Sequence, residues 1–339
     1  MSIFKNKALL TLTFFVLMAI AGCKKSGVKA QENTNNSTNT TTPAKFRVVG
    51  YLRYEGNLVD EASAINMSMI THLNVAFINP DKDGNFAADD NLRKVAVMAH
   101  AKGVQILVSI AGGTPPAYIS TLIAPGNQAK FIASLLKLTD DNSLDGIDVD
   151  LEQSFVDNNY QSFVTNLAAA LKAKKKLTTA AIATVYADSY PDKALAQLDF
   201  INVMSYDKTG PWNQAKPGQH SPYSMAVDDI AYWSGTRGIA KEKLSVGVPF
   251  YGYGFGTNAP ESLSFAEILL AYPGSENDDQ VTVSGGGIMY YNGIPTIKSK
   301  TQLALNKAGG IMIWQLRQDA TGANSLLGAI NSVIKANTK

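Results

Sequence analysis

Cysteine is all but missing: Cys23 is the only one in 339 residues. No disulfide can form within one chain, so stability has to come from packing. Long apolar runs are missing too. The longest, from Ala8 to Ile20, is about 13 residues, short of the roughly 20 that span a bilayer as a helix. Charge is sparse and balanced, with 30 Lys and Arg against 28 Asp and Glu, and no charge run exceeds Lys174-Lys175-Lys176. That excludes a nucleic-acid-binding surface and an acidic tail as organising features. No short-period repeat occurs. What remains is an ordinary globular composition, 45% hydrophobic and 17% charged, long enough for one large domain.

The first 44 residues stand apart. Lys5 and Lys7 precede the apolar run, and Ile20-Ala21-Gly22-Cys23 follows it. This string resembles a bacterial lipobox, which implies a signal peptide over 1–22 and a lipid on the Cys23 thiol. Cutting there removes two lysines and no acid, which takes the formal charge from +2 to 0. Steering of a charged ligand is then not implied, and a neutral ligand fits better. Residues 23–44, rich in Asn, Thr and Ser, cannot bury enough apolar surface to order themselves and read as a tether. Lys24, next to the cysteine, is not acidic, so the expected location is the cell envelope at the outer membrane, facing away from the cytoplasm. The domain is expected over 45–339.

Within it, short β-rich runs alternate with longer amphipathic ones. Strands are predicted over Phe46–Tyr51, His72–Phe77, Val104–Ser109, Gly146–Leu151, Thr178–Thr184, Phe200–Ser205, Leu244–Pro249 and Gly310–Trp314. Helices are predicted over Leu92–Ala101, Ala129–Leu136, Tyr160–Ala173, Met225–Trp233 and Ala323–Ile334. Such alternation argues a parallel sheet, and eight strands argue closure into a (β/α)8 TIM barrel. A doubly wound sheet often opens with a glycine-rich loop after its first strand; here LRYEGNLVD follows instead. The 60 residues from Phe250 to Gly309 exceed one βα unit and predict a small insertion between strands 7 and 8, with a helix over Ser264–Ala271 and two or three short strands.

The stretch Asp145-Gly-Ile-Asp-Val-Asp-Leu-Glu152 is the costliest in the chain. Strand side chains alternate, so Ile147, Val149 and Leu151 face the helices and Asp148, Asp150 and Glu152 face the barrel interior. Burial and mutual repulsion penalise three such carboxylates, and they should share protons with at least one pKa raised. Glu152 stands nearest the C-terminal end, where barrel active sites lie, and a raised pKa would suit it to general-acid work. Three carboxylates are also a possible cation site. No histidine or cysteine stands near them in sequence, and no metal or other cofactor is expected.

DGIDVDLE resembles the DGxDxDxE signature of glycoside hydrolase family 18, the chitinase-like enzymes. Companion motifs follow in the family's order. SIAGG (109–113) is similar to its third-strand motif, with one residue more than SxGG. MSYD (204–207), GVPFYGYGF (247–255) and GGIMIW (309–314) resemble those of strands six, seven and eight, with Tyr253 where the family often has Arg. Gly50-Tyr51 and Ala76-Phe77 also fit.

The resemblance implies a retaining, substrate-assisted mechanism. Glu152 would protonate the glycosidic oxygen, and Asp150 would orient the sugar's own 2-acetamido group. Asp148 would share a proton with Asp150, and Tyr206 would hydrogen-bond the acetamido. Trp314, Tyr51 and Phe77 are candidates for the sugar floor, with core packing as the competing use. Met204 and Asp207 are expected to line the site, and Trp212 to touch substrate from its loop. Trp233, in a helical run, is expected to pack. The implied partner is chitin or another glycan containing N-acetylglucosamine, acted on by a monomer attached to the membrane through lipid. Two other readings stay open: an endo-β-N-acetylglucosaminidase cutting N-glycan cores, and a catalytically silent sugar-binding lipoprotein.

Overall fold

The computed structural model describes residues 46–338. Cys23, the expected signal peptide (1–22) and the expected tether (23–44) lie outside the described residues.

Eight parallel strands close into a barrel: β1 (Arg47–Arg53), β2 (His72–Ala76), β3 (Gln105–Ala111), β4 (Gly146–Asp150), β5 (Leu177–Ile182), β6 (Phe200–Val203), β7 (Leu244–Pro249) and, last in the chain, β12 (Gly310–Trp314). β12 pairs with both β1 and β7, which completes the ring. The (β/α)8 barrel read from the sequence is the fold observed. Helices between the strands present regular apolar stripes. In Tyr160–Ala173 the buried positions are Tyr160, Phe163, Val164, Leu167, Ala168 and Leu171, a period of three and four. In Asp90–His100 they are Leu92, Val95, Ala96 and Ala99, and the Asp89 side chain caps the start by accepting from the Asn91 N–H.

Alternation along the strands splits the apolar residues into two cores. The larger, between strands and helices, takes Ile147, Val149 and Leu151. The smaller, inside the barrel, consists of Val49, Tyr51, Ala76, Ala181, Phe200, Met204, Tyr206 and Met312, with Phe77 and Trp314 packed on it. Asp148 and Asp150 therefore sit in the interior that the smaller core fills.

The insertion after β7 is more ordered than expected. β8 (Tyr251–Phe255), β9 (Ser262–Ser264), β10 (Gln280–Thr282) and β11 (Ile288–Tyr290) form an antiparallel sheet in the order β10-β11-β8-β9. The predicted helix is present over Phe265–Ala271, begun by a capping box between Ser264 and Glu267. A second helix, Ile294–Lys307, was not predicted and serves as the regular barrel helix before β12. Among the described residues no helix is long and apolar enough to cross a membrane.

Candidate active site

Strand register brings the site's polar row together. Ser109 of β3 stands beside Asp148 of β4, and Asp148 beside Thr179 of β5. Asp148 is fully buried and accepts hydrogen bonds from the hydroxyls of Tyr51 (2.7 Å), Ser109 (2.8 Å) and Thr179. These donors favour its anion, while burial, the larger effect, raises its pKa. Asn202 Nδ2 supports the Tyr51 hydroxyl at 3.1 Å. Among the described residues no hydrogen bond joins Asp148 to Asp150. Three hydroxyls already occupy Asp148.

Asp150 lies one step nearer the mouth and is equally enclosed, and its Oδ1 has no hydrogen-bond partner among the described residues. Burial, then the charges of Glu152 and Asp148, push its pKa well above the carboxylate range. β4 ends at Asp150, so Glu152 sits just beyond the strand, at the start of a short turn, Gln153–Phe155. The strand predicted over Gly146–Leu151 also stopped short of it, and the side-chain alternation survives the strand's end. Burial, then the charge of Asp207, raises Glu152 from 4.5 to about 7.

The extra residue in SIAGG is absorbed locally. Ala111 takes a left-handed φ of 77° and Gly112 one of 86°. A Cβ at Gly112 would meet Phe77 at 2.5 Å, and one at Gly113 would lie 3.2 Å from Glu152 Oε1. The kink thus lays bare backbone against both Phe77 and Glu152.

Two concavities meet at Glu152. A pit of about 170 Å3 is lined by Tyr51, Phe77, Asp150, Met204, Tyr206 and Trp314, among others. A groove of about 610 Å3 runs outward past Ala183, Val185, Tyr186, Trp212 and Met225. Glu152, Gly113, Met204, Tyr206 and Asp207 border both. In the pit Phe77 stacks on Trp314 (ring centroids 5.4 Å, 28° between planes), and Tyr51 meets Trp314 edge-on at 5.6 Å. Tyr51 is itself buried with its hydroxyl committed to Asp148, so it supports the pit from beneath. The Tyr206 hydroxyl faces Met312 Sδ at 3.7 Å. Trp212, 63% exposed, stands at the groove rim edge-on to Tyr253 at 5.4 Å. Trp233 is buried away from the groove, its indole N–H donating to Thr184 Oγ1.

All the predicted pit and groove residues converge here. Sequence reasoning did not single out Ser109, Thr179 or Asn202 as supports, because their partners are long-range. It set all three histidines apart from the acidic stretch, and only His100 touches it, at Asp145, ahead of β4. His100 Nε2 lies 2.8 Å from Asp145 Oδ2, and the fully buried His220 lies behind Asp207. Among the described residues no group of three or more His, Cys, Asp or Glu side chains is arranged to hold a metal ion.

A family model, Glycosyl hydrolases family 18, matches residues 47–319. The crystal structure of the GH18 chitinase ChiB from the chitin utilization locus of Flavobacterium johnsoniae is similar at a TM-score of 0.79. It shares 38% identity and covers 87% of this chain and 95% of that one. A chitinase from Bacteroides thetaiotaomicron is similar at a TM-score of 0.74 and 29% identity, over 85% of this chain and 96% of that one. Among curated proteins, a chitinase-like effector of Moniliophthora perniciosa is 26% identical over 317 residues, 80% of this chain and 72% of the relative.

Proposed function

The chain belongs to glycosyl hydrolases family 18, and from that premise we propose that it hydrolyses β-1,4-linked N-acetylglucosamine chains with retention, using the substrate's acetamido group as nucleophile. The observation that carries this reading is Glu152 at the junction of pit and groove, with its pKa raised to about 7. A scissile bond crossing that junction puts the glycosidic oxygen beside an acid still holding its proton near neutrality.

The residues divide the work. The sugar on the pit side lies on Trp314, with Phe77 stacked behind it. Its acetamido group points down to Asp150, whose unpartnered Oδ1 accepts the amide N–H. Tyr206 donates to the acetamido oxygen. Glu152 gives its proton to the glycosidic oxygen as the bond to the anomeric carbon breaks. The acetamido oxygen bonds that carbon from the opposite face, forming an oxazolinium ion. Asp150 stabilises that ion through its hydrogen bond to the amide N–H, with Asp148 behind it. Glu152, now a carboxylate, takes a proton from water as the water oxygen replaces the acetamido oxygen. Two displacements give net retention. The groove, with Trp212 and Val185 at its edge, takes the leaving-group sugars.

Digestion of N-acetylglucosamine oligomers and of a high-mannose glycoprotein by residues 45–339, beside Glu152→Gln, tests this. Oligomer cleavage that disappears in Glu152→Gln is expected. Glycan release without oligomer cleavage would move the substrate to N-glycan cores, and binding without cleavage would make the protein a sugar-binding relative. We also propose attachment to the envelope through lipid on Cys23; labelling with a radioactive fatty acid should be lost in Cys23→Ala.

A further inference from the structure

A lysine stands where a barrel helix should present an apolar side chain. On Ile294–Lys307 the buried face carries Ile297, Lys300, Thr301 and Ala304, and Lys300 is fully enclosed. Its ammonium donates to Ser221 O (2.7 Å), Ser221 Oγ (2.6 Å) and Asn292 Oδ1 (2.7 Å). All three of its donors are used, on neutral acceptors. Burial lowers its pKa to about 7, against the opposing charges of Asp279 and Asp229. Ser221 Oγ in turn donates to Ser205 O, and Asn292 Nδ2 to Ser221 O.

This knot pins the residue next to His220. The His220 carbonyl accepts from the Lys208 N–H at 2.9 Å, which closes the loop from 208 to 220. Its ring is wholly buried between Tyr251 (5.0 Å) and Tyr253 (4.9 Å). Nε2 lies 3.3 Å from Tyr251 O, and Nδ1, which makes no hydrogen bond among the described residues, approaches Asp207 Oδ1 to 3.4 Å. Asp207 has a left-handed φ of 62°, and its side chain is 40% exposed at the groove edge, where the Tyr251 hydroxyl also donates to it. Without these contacts it can turn to water.

We propose that His220 is a positioning residue for Asp207, and that Lys300 is the buried clamp that keeps His220 in place by holding Ser221. Asp207 acts on Glu152 through its negative charge, which screening by water would weaken. The other titratable groups around Glu152 are Asp150, Tyr206, Tyr190, Tyr51, Tyr186 and Lys208, and those facing His220 are Asp207, Tyr251 and Tyr253. The benefit to catalysis rests on Glu152 being the proton donor; the positioning itself does not.

Carbon-13 NMR titration of the Glu152 carboxyl, needing no substrate, tests the positioning, and pH profiles of kcat on an N-acetylglucosamine oligomer test its consequence. In His220→Gln the amide takes the place of Nε2 and leaves Asp207 only the Tyr251 hydroxyl; in His220→Asn it takes the place of Nδ1. The Glu152 midpoint should fall by on the order of half a pH unit in His220→Gln and in Lys300→Met, and stay near wild type in His220→Asn. The alkaline limb of kcat should move with it. Unchanged midpoints in folded His220→Gln and Lys300→Met, with only a lower melting temperature, would overturn the proposal. An unshifted wild-type activity in Glu152→Gln would instead remove Glu152 from catalysis, leaving the NMR result to decide the positioning.

Discussion

At the scale of the residue, the carboxylates were legible because strand alternation alone puts Asp148, Asp150 and Glu152 on one face, where burial makes them expensive. Their supports were not. The three hydroxyls on Asp148 come from β1, β3 and β5, and only the barrel's register joins them. The same energetics make a prediction about stability. Glu152 has its folded pKa raised from 4.5 to about 7, so its contribution is most favourable below about 4.5 and is lost as pH rises through 7. The loss is on the order of 3 kcal/mol for a shift of this size. Gln at this position cannot ionise. The melting temperature of Glu152→Gln should therefore gain on wild type between pH 4.5 and 7.5, while kcat falls by roughly 10²-fold or more. A constant difference in melting temperature across that range would show that Glu152 does not carry its proton to neutral pH.

At the scale of the element, the eight barrel strands were readable because buried parallel strands are short β-branched runs between amphipathic stretches. The helix Ile294–Lys307 escaped because its face is mixed: Lys300 and Thr301 occupy core positions, and Thr296, Ser299 and Gln302 dilute the stripe. A buried lysine leaves no periodic signal, and its acceptors belong to other elements. The antiparallel sheet of the insertion was only half visible, since β9, β10 and β11 are three residues each. The turn after β3 is where local geometry and site are most tightly joined. Gly112→Ala would place a methyl at φ 86° against the Phe77 ring. We expect a loss of about 1–3 kcal/mol in urea unfolding, and a KM for oligomers raised more than kcat is lowered, because Phe77 backs Trp314. A variant with wild-type KM would mean that the Phe77–Trp314 stack is not part of the sugar floor.

At the scale of the whole molecule, the barrel is two cores separated by a ring of strands. The outer core holds the helices. The inner one is a plug rich in aromatic and methionine side chains that leaves a shaped pit at the C-terminal mouth. That plug explains why Asp148 and Asp150 are deprived of water and why their charges have to be managed by hydroxyls and protons. Aromatic side chains form much of the pit's wall, and the carboxylates that border it beside Glu152 are Asp150 and Asp207. On the proposed mechanism neither is the nucleophile, which arrives with the substrate. Comparing N-acetylglucosamine pentamer with its fully de-N-acetylated counterpart, at equal chain length and with the product anomer followed by NMR, isolates this dependence. Cleavage of the acetylated chain alone, with the β-anomer appearing first, is the expected result. Comparable cleavage of the chain without acetamido groups, or first appearance of the α-anomer, would overturn substrate assistance and with it the roles given to Asp150 and Tyr206.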